Sequence, residues 1–389
     1  MVSDTYETFA TERVLYGKPA APTLAAEATR LGASRVFMIV SRTLDRETSW
    51  VNDLRAALGN RYVGSFDGVP SHTPRESVLD ATAAARNVEA DLLVCFGGGS
   101  VTDATKMVQI GLKHHFTHHD DFDPFVMKVG PDGARRVVDY AGPDVRMIAI
   151  PTTLSGGEFN RSAGVTDTRK KLKELYRHEF IVPRVVILDP VMTTRTPEWL
   201  FLSTGIRAFD HAVETVCNLH ADELACEVAL IAVRMLAQAL PATKANPGDL
   251  TARLRAQMAV WQSMEHNRQG ISMGASHGIG HVLGGTCDVP HGYTSCIMLP
   301  TVLRYNENVN AERQAMIAVA MGRPGARAAD VVGDFIADLG LPRSLSAVGV
   351  GPEQFGTIAD AALLDHYLHT NPRKIRSRQD IIDILHMAA

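Results

Sequence analysis

The sequence predicts an α/β N-terminal domain with a mainly parallel sheet over residues 1–190, followed by an all-helical C-terminal domain over residues 191–389. Three observations carry this reading. Short branched apolar runs recur through the first half with helical patterns between several of them, the signature of strands buried in a parallel sheet. Asp189-Pro190 and Thr196-Pro197 then punctuate the chain. Beyond them the texture becomes long Ala/Leu/Met/Arg-rich stretches with helical apolar periodicity.

Taken in order, Ala21 to Leu31 reads as an amphipathic helix and Val36 to Val40 as the strand that follows it. Arg61 to Phe66 is a second strand, Arg75 to Val88 a helix, and Asp91 to Phe96 a buried strand. Arg146 to Ile150 and Arg184 to Leu188 repeat the strand pattern. In the second half, Gly205 to Glu214, Ala221 to Leu240, Leu250 to Asn267 and Arg313 to Val319 read as helices.

Composition narrows the class of function. At 389 residues the chain has room for two or three domains and a large core. With 46% apolar and 21% charged residues it is no disordered chain, coiled coil or collagen. A net charge of −4 offers no electrostatic case for nucleic acid or an anionic membrane, although backbone N–H groups can still hold a phosphate locally. Five cysteines with no CxxC pair favour a reducing compartment. The N-terminal stretch lacks the apolar core of a signal peptide. The most apolar long segment, Leu224 to Leu240, carries Glu227 and Arg234, which argues against a membrane span. A cytoplasmic protein is expected. His114, His115, His118 and His119 read as a polar loop.

Gly97-Gly98-Gly99-Ser100 leaves a strand and enters a helix that carries Asp103 and Lys106. Glycines allow a tight turn and close backbone approach, and a helix start offers unpaired N–H groups to a diphosphate. The run is neither GxGxxG nor GxxxxGK[ST], so a generic tight turn explains it equally well. Pro151-Thr152-Thr153-Leu154-Ser155-Gly156-Gly157-Glu158 follows the next strand and supplies hydroxyls where a cofactor crevice forms in such sheets; a structural turn is the other reading. Together the two features favour a dinucleotide site. Asp103 is either a ribose contact or an exposed helical acid. Ser41-Arg42-Thr43 follows the first strand without an acid, so no carboxylate is placed there to repel a phosphorylated ribose.

Histidines form the second constellation. Arg207 and His211 are i,i+4 on one helix, as are His277 and His281 on another, and His291 follows within Pro290-His291-Gly292. His211, His277 and His291 can converge on a divalent metal, with His281 beside them; helix packing and an ordinary turn are the alternative readings. Asp210, one position out of phase with His211, reads as a surface or helix-pair acid.

These motifs, together with Asp189-Pro190, Gly284-Gly285, Leu299-Pro300 and Asn371-Pro372-Arg373, resemble in order and spacing the iron-containing, or group III, alcohol dehydrogenase family. The resemblance implies the dehydroquinate synthase-like architecture, NAD(P)-dependent hydride transfer and dimers. Ser41, Gly97, Gly98, Gly99, Ser100, Asp103, Thr152, Thr153 and Ser155 are the residues expected on the cofactor. The family's Asp-His-His-His ligand set falls on Arg207, His211, His277 and His291. Glu12-Arg13-Val14-Leu15-Tyr16-Gly17 and Ser71-His72-Thr73-Pro74 resemble the maleylacetate reductase branch, while Pro290-His291-Gly292-Tyr293 fits the alcohol dehydrogenases better. The expectation is therefore a homodimeric NAD(P)H-dependent reductase of a carbonyl substrate such as maleylacetate or a related keto acid. In it Arg207 replaces the metal-ligand aspartate, no catalytic metal is used, and Arg207, His211, His277, His281 and His291 are catalytic. The rivals are a metal-dependent alcohol dehydrogenase on His211, His277 and His291, a dehydroquinate-synthase-like lyase, and a non-catalytic nucleotide-binding protein.

Overall fold

The structure is a computed structural model that describes residues 10–129, 135–267 and 270–389. Residues 1–9, most of the stretch read as lacking a signal peptide, lie outside the described residues. The described chain forms two compact units that divide between Thr196 and Pro197.

The first unit is built on a six-stranded sheet. In chain order its elements are β1 (Arg13–Tyr16), α1 (Ala20–Arg30), β2 (Val36–Val40), α2 (Arg42–Glu47), α3 (Trp50–Leu58), β3 (Tyr62–Phe66), α4 (Arg75–Asn87), β4 (Leu92–Gly97) and α5 (Gly99–Lys113). Then come β5 (Lys128–Val129), β6 (Arg135–Arg136), β7 (Arg146–Pro151), β8 (Ser162–Asp167), β9 (Leu172–Arg177) and β10 (Val185–Leu188). The large sheet runs β1-β10-β7-β4-β2-β3 with every pair parallel, as the apolar runs predict. β5–β6 and β8–β9 are separate antiparallel pairs. β2 and β4 are buried along their whole length, so both sheet faces carry core. β2 pairs with β3 on one side and β4 on the other, so the chain changes direction across the sheet there; ligands bind outside the carboxyl ends of strands at such a point.

The β8–β9 hairpin is pinned by a buried cation. Arg75, fully buried at the start of α4, donates to Asp123 (2.7 Å), Glu174, the Tyr176 hydroxyl (3.2 Å) and the His119 carbonyl, with Asp167 at 3.4 Å. The bond to Arg75 holds the Asp123 carboxyl below the ordinary range. Burial pushes Asp167 up, but the Lys170 N–H and the Arg169 side chain outweigh it and its carboxyl is depressed. A carboxylate depressed on folding contributes stability above its unfolded value, about 3.9, and loses it as pH falls through the folded value. The hairpin is therefore expected to keep full protection at pH 6 and open progressively below about pH 4. Hydrogen exchange of the β8 and β9 amides across that range is the check; uniform protection down to pH 3 would contradict it.

The second unit is helical throughout the described residues: α6 (Glu198–Cys217), α7 (Glu223–Ala245), α8 (Leu250–Ser263), α9 (Ala275–Cys287), α10 (His291–Ala320), α11 (Ala328–Asp338), α12 (Phe355–Ala362), α13 (His366–His369) and α14 (Arg378–Met387). α10 breaks its helical backbone at Asn310. By length and composition α7 could cross a membrane, but half of its most apolar window is buried, and it packs on α6 and α8 within the unit. All five cysteines are free.

Candidate active site

In the first unit the ends of three parallel strands meet. The Ser41 N–H donates to the Phe96 carbonyl (2.9 Å) and the Thr152 N–H to the Gly97 carbonyl (3.0 Å), which sets the ends of β2, β4 and β7 side by side. Gly97 ends β4, Gly98 caps α5 and Gly99 begins it. The glycines are needed for close approach: a Cβ on Gly98 would lie 3.0 Å from the Thr153 methyl, and one on Gly99 3.2 Å from the Ser155 hydroxyl. The glycine run and the Thr152–Ser155 segment thus form one crevice wall, with the first-turn N–H groups of α5 beside it.

Two charged side chains hold that wall from behind. Lys106, fully buried, donates to the carbonyls of Gly157 (2.6 Å), Asn160 (2.7 Å) and Ser162 (2.7 Å). Asp103 accepts from the Gly164 N–H at 3.2 Å, so its carboxylate ties α5 to β8 and is not the exposed helical acid of the alternative reading.

In the second unit the histidines form a chain of ring contacts. His211 lies 4.7 Å from His277 and 5.2 Å from His266, centroid to centroid. His277 meets His281 edge-on at 6.5 Å, and His281 stacks on His291 at 5.9 Å. Tyr367 covers His281 at 5.4 Å. Small residues make this approach possible: a Cβ on Gly278 would strike Leu368, and one on Gly292 would strike Ser203. Asn371 orders the start of α9, accepting from the Ala275 N–H (3.1 Å) while pairing with Asn306. The motif histidines are legible in the sequence; His266 and Tyr367 come to them only by tertiary packing.

Asp210 corrects the sequence reading. It is fully buried, accepts from the Ser276 hydroxyl (2.8 Å) and lies 3.5 Å from His277 Nδ1. Glu214, one helical turn on, accepts from the Gly274 N–H (2.8 Å) and the Ser276 N–H (3.0 Å), and sits 2.8 Å from His277 Nδ1. Two backbone donors fit an ionised carboxylate, so without a cation the imidazole proton is assigned to Nδ1; a cation held between His277 and the two carboxylates would take the place of that proton. Arg207 donates to Ser295 (3.1 Å). Burial lowers its pKa while Asp210 and Glu214 raise it, and a guanidinium remains charged. Burial pushes Asp210 and Glu214 up, and pulls His211 and His277 well below the usual imidazole range with help from Arg207. His281 pairs with Asp365 at 3.0 Å.

The expectation of a metal-independent site, with Arg207 in place of the aspartate ligand, is therefore overturned. Asp210, Glu214 and His277 offer ligand atoms within 4.8 Å of one another, all on buried residues. Asp210 Oδ1, His211 Nδ1 and His277 Nε2 are buried without a hydrogen-bond partner. Two carboxylates and neutral imidazoles suit a divalent transition metal, so the residues fit such an ion. The carboxylates come from Asp210 and Glu214, and the residue at 207 need not supply one. Asp123, Asp167 and Glu174 form a second acidic group of the same compactness, in which Arg75 already supplies the positive charge. Among the described residues neither group includes a histidine of the 114–119 loop.

Comparison with known proteins agrees with this architecture. The iron-containing alcohol dehydrogenase model matches residues 11–190, and the C-terminal model of the Fe-containing alcohol dehydrogenase family matches residues 201–389. The dehydrogenase FUM7 of Gibberella moniliformis is 34% identical, with 97% of this chain and 96% of that protein covered. Maleylacetate reductase 1 of Cupriavidus pinatubonensis is 29% identical over 94% of this chain and 92% of its own length. The crystal structure of maleylacetate reductase from Agrobacterium tumefaciens superposes with a TM-score of 0.83 at 28% identity, covering 100% of this chain and 98% of that one. The chain belongs to the iron-containing alcohol dehydrogenase family, on its maleylacetate reductase branch, and is an NAD(P)-dependent oxidoreductase.

Proposed function

We propose that this protein reduces a small carbonyl substrate of the keto-acid type with NAD(P)H. The observation that carries the reading is the buried Asp210-Glu214-His277 group with Arg207 on the helix of its two carboxylates, a set that can hold a cation and an oxyanion in one unit. The relatives named as maleylacetate reductases support the substrate class. In the α/β unit the first turn of α5 with Gly97, Gly98, Gly99 and Ser100 would hold the diphosphate, while Thr152, Thr153 and Ser155 would line the nicotinamide side; Ser41 borders the same strand ends, and Asp103 supports them from behind.

Asp210, Glu214 and His277 would hold the metal, which when bound supplies a Lewis acid for the carbonyl oxygen. His211, neutral and facing His277, shapes the same pocket. His277, if it held that ion through the nitrogen that faces Asp210 and Glu214, would have no proton there to give. His281 is the better proton source: Asp365 orients its ring, about a quarter of its side chain is exposed, and His291 stacks on it. Arg207 charge stabilises the alkoxide or a substrate carboxylate. The assembly expected is a homodimer in a reducing compartment.

Oxidation of NADH and NADPH at 340 nm with maleylacetate, set against simple aldehydes, tests the reading. The keto acid is expected to give kcat/KM at least about tenfold higher, the order of one charged hydrogen bond. Equal turnover of uncharged aldehydes would remove the keto-acid assignment, and no turnover of any carbonyl would remove the reductase.

A further inference from the structure

The turn Ser71-His72-Thr73-Pro74 is strained where the sequence offers no local reason for strain. Thr73 has φ +50° and His72 φ +64°. Left-handed backbone is rare for any residue but glycine and a genuine outlier for a β-branched one. Thr73 also precedes a proline, a second restriction that favours extended backbone. Such a conformation persists only when its surroundings over-determine it.

Here the surroundings are visible. The Thr166 N–H donates to the Thr73 carbonyl at 3.0 Å, and the Thr166 hydroxyl to the His72 carbonyl at 2.8 Å. Pro74 and Thr166 form an isolated parallel bridge. The hairpin thus grips the turn by its backbone. What the turn delivers is one hydroxyl: Thr73, 1% exposed, donates from Oγ1 to the Ser100 carbonyl at 3.1 Å. Ser100 lies in the first turn of α5, directly after the glycine run. The free N–H groups of that turn are the ones that meet an anionic ligand.

We infer that Thr73 is a positioning residue for the dinucleotide. Its hydroxyl clamps the Ser100 carbonyl and so fixes the direction of the first-turn N–H groups of α5 toward the diphosphate. The strained backbone is the means of bringing that hydroxyl to Ser100. This inference rests on the reading of the glycine run as the diphosphate site.

The test separates hydroxyl from backbone. Thr73→Val keeps the β-branch and loses the hydroxyl; the dissociation constant and KM for NADH or NADPH are expected to rise roughly five- to tenfold, with kcat within about twofold. Thr73→Ser keeps the hydroxyl and should bind cofactor within about twofold of the wild type. Thr73→Gly relieves the backbone and loses the hydroxyl, so its melting temperature should hold or rise while cofactor binding weakens as in the valine variant. A structural role alone would move the melting temperature and leave the KM and kcat split flat, and that outcome overturns the inference. Gly98→Val, which drives side chain into Thr153, checks the underlying reading. If it weakens cofactor binding and Thr73→Val does not, only the Thr73 inference falls. If it leaves binding unchanged, the diphosphate reading falls and the Thr73 inference with it.

Discussion

Purified protein is expected to carry about one divalent transition metal per chain, and His277→Ala is expected to lose it. Three buried donors lie within 4.8 Å, and the single charge of Arg207 offsets only one of their two carboxylates. Removing a ligand from so small a set should weaken binding by about 100-fold or more, since even outer partners of metal ligands cost 10- to 100-fold. The variant should still fold: Glu214 keeps its bonds from the Gly274 and Ser276 N–H groups, so the start of α9 stays tied to α6. Metal content by mass spectrometry of the wild type and variant, with competitive chelator titration at pH 7.5, reads the effect without any assay of turnover. Chelation of the wild type should abolish turnover, with recovery on readdition of the metal. Negligible metal in the wild type, with chelator-insensitive turnover, would refute the cation site.

The misreading of Asp210 has a physical cause. Helical phase sorts residues only when a helix has a wet side. One residue is about 100° of rotation, which places Asp210 away from His211 and, on a surface helix, toward solvent. In α6 every residue from Gly205 to Cys217 is buried, so phase decides which neighbour a side chain meets and not whether it is exposed. Asp210 meets Ser276 and His277 on α9, and Glu214 meets the backbone that starts α9. Neither contact is written in local sequence. His266 is hidden in the same way: it stands in a short turn after α8 with no motif around it, and its partner His211 is 55 positions earlier. The inner strands β2, β4, β7 and β10 are legible because each is a short apolar run buried on both faces, and the edge strand β3 is legible from its own apolar residues although it is only half-buried. β1 is not, because it offers only Val14 and Leu15 between two exposed ends. The length of α10 was obscured by Pro300 inside it and by the irregular backbone at Asn310. The glycine run was visible from its residues, but the reason for its glycines, the Thr153 and Ser155 side chains against them, required the fold.

Lys106→Met should destabilise the α/β unit more than any surface change there. The ammonium has three donors, and all three are spent on the carbonyls of Gly157, Asn160 and Ser162. Methionine is close in length and removes the cost of burying a charge, which favours the variant. Against it stand three carbonyls deprived of a donor, at about 1–3 kcal/mol for each that stays unsatisfied. Asp103 and Glu158 also lose the cation that offsets their burial, which already raises both carboxyls, Glu158 to about 7. Removing one partner of a buried charged group costs about 3–5 kcal/mol, so the net expectation is a loss near 4 kcal/mol, or roughly 10 °C in the melting step of this unit. Because the same three carbonyls belong to the segment just after Thr152, Thr153 and Ser155, cofactor affinity should fall with stability. Calorimetry with a cofactor titration at a temperature where the variant is folded gives both quantities. An unchanged melting step would mean that water satisfies the carbonyls as well as the ammonium does, and that the lysine is not what holds the crevice wall.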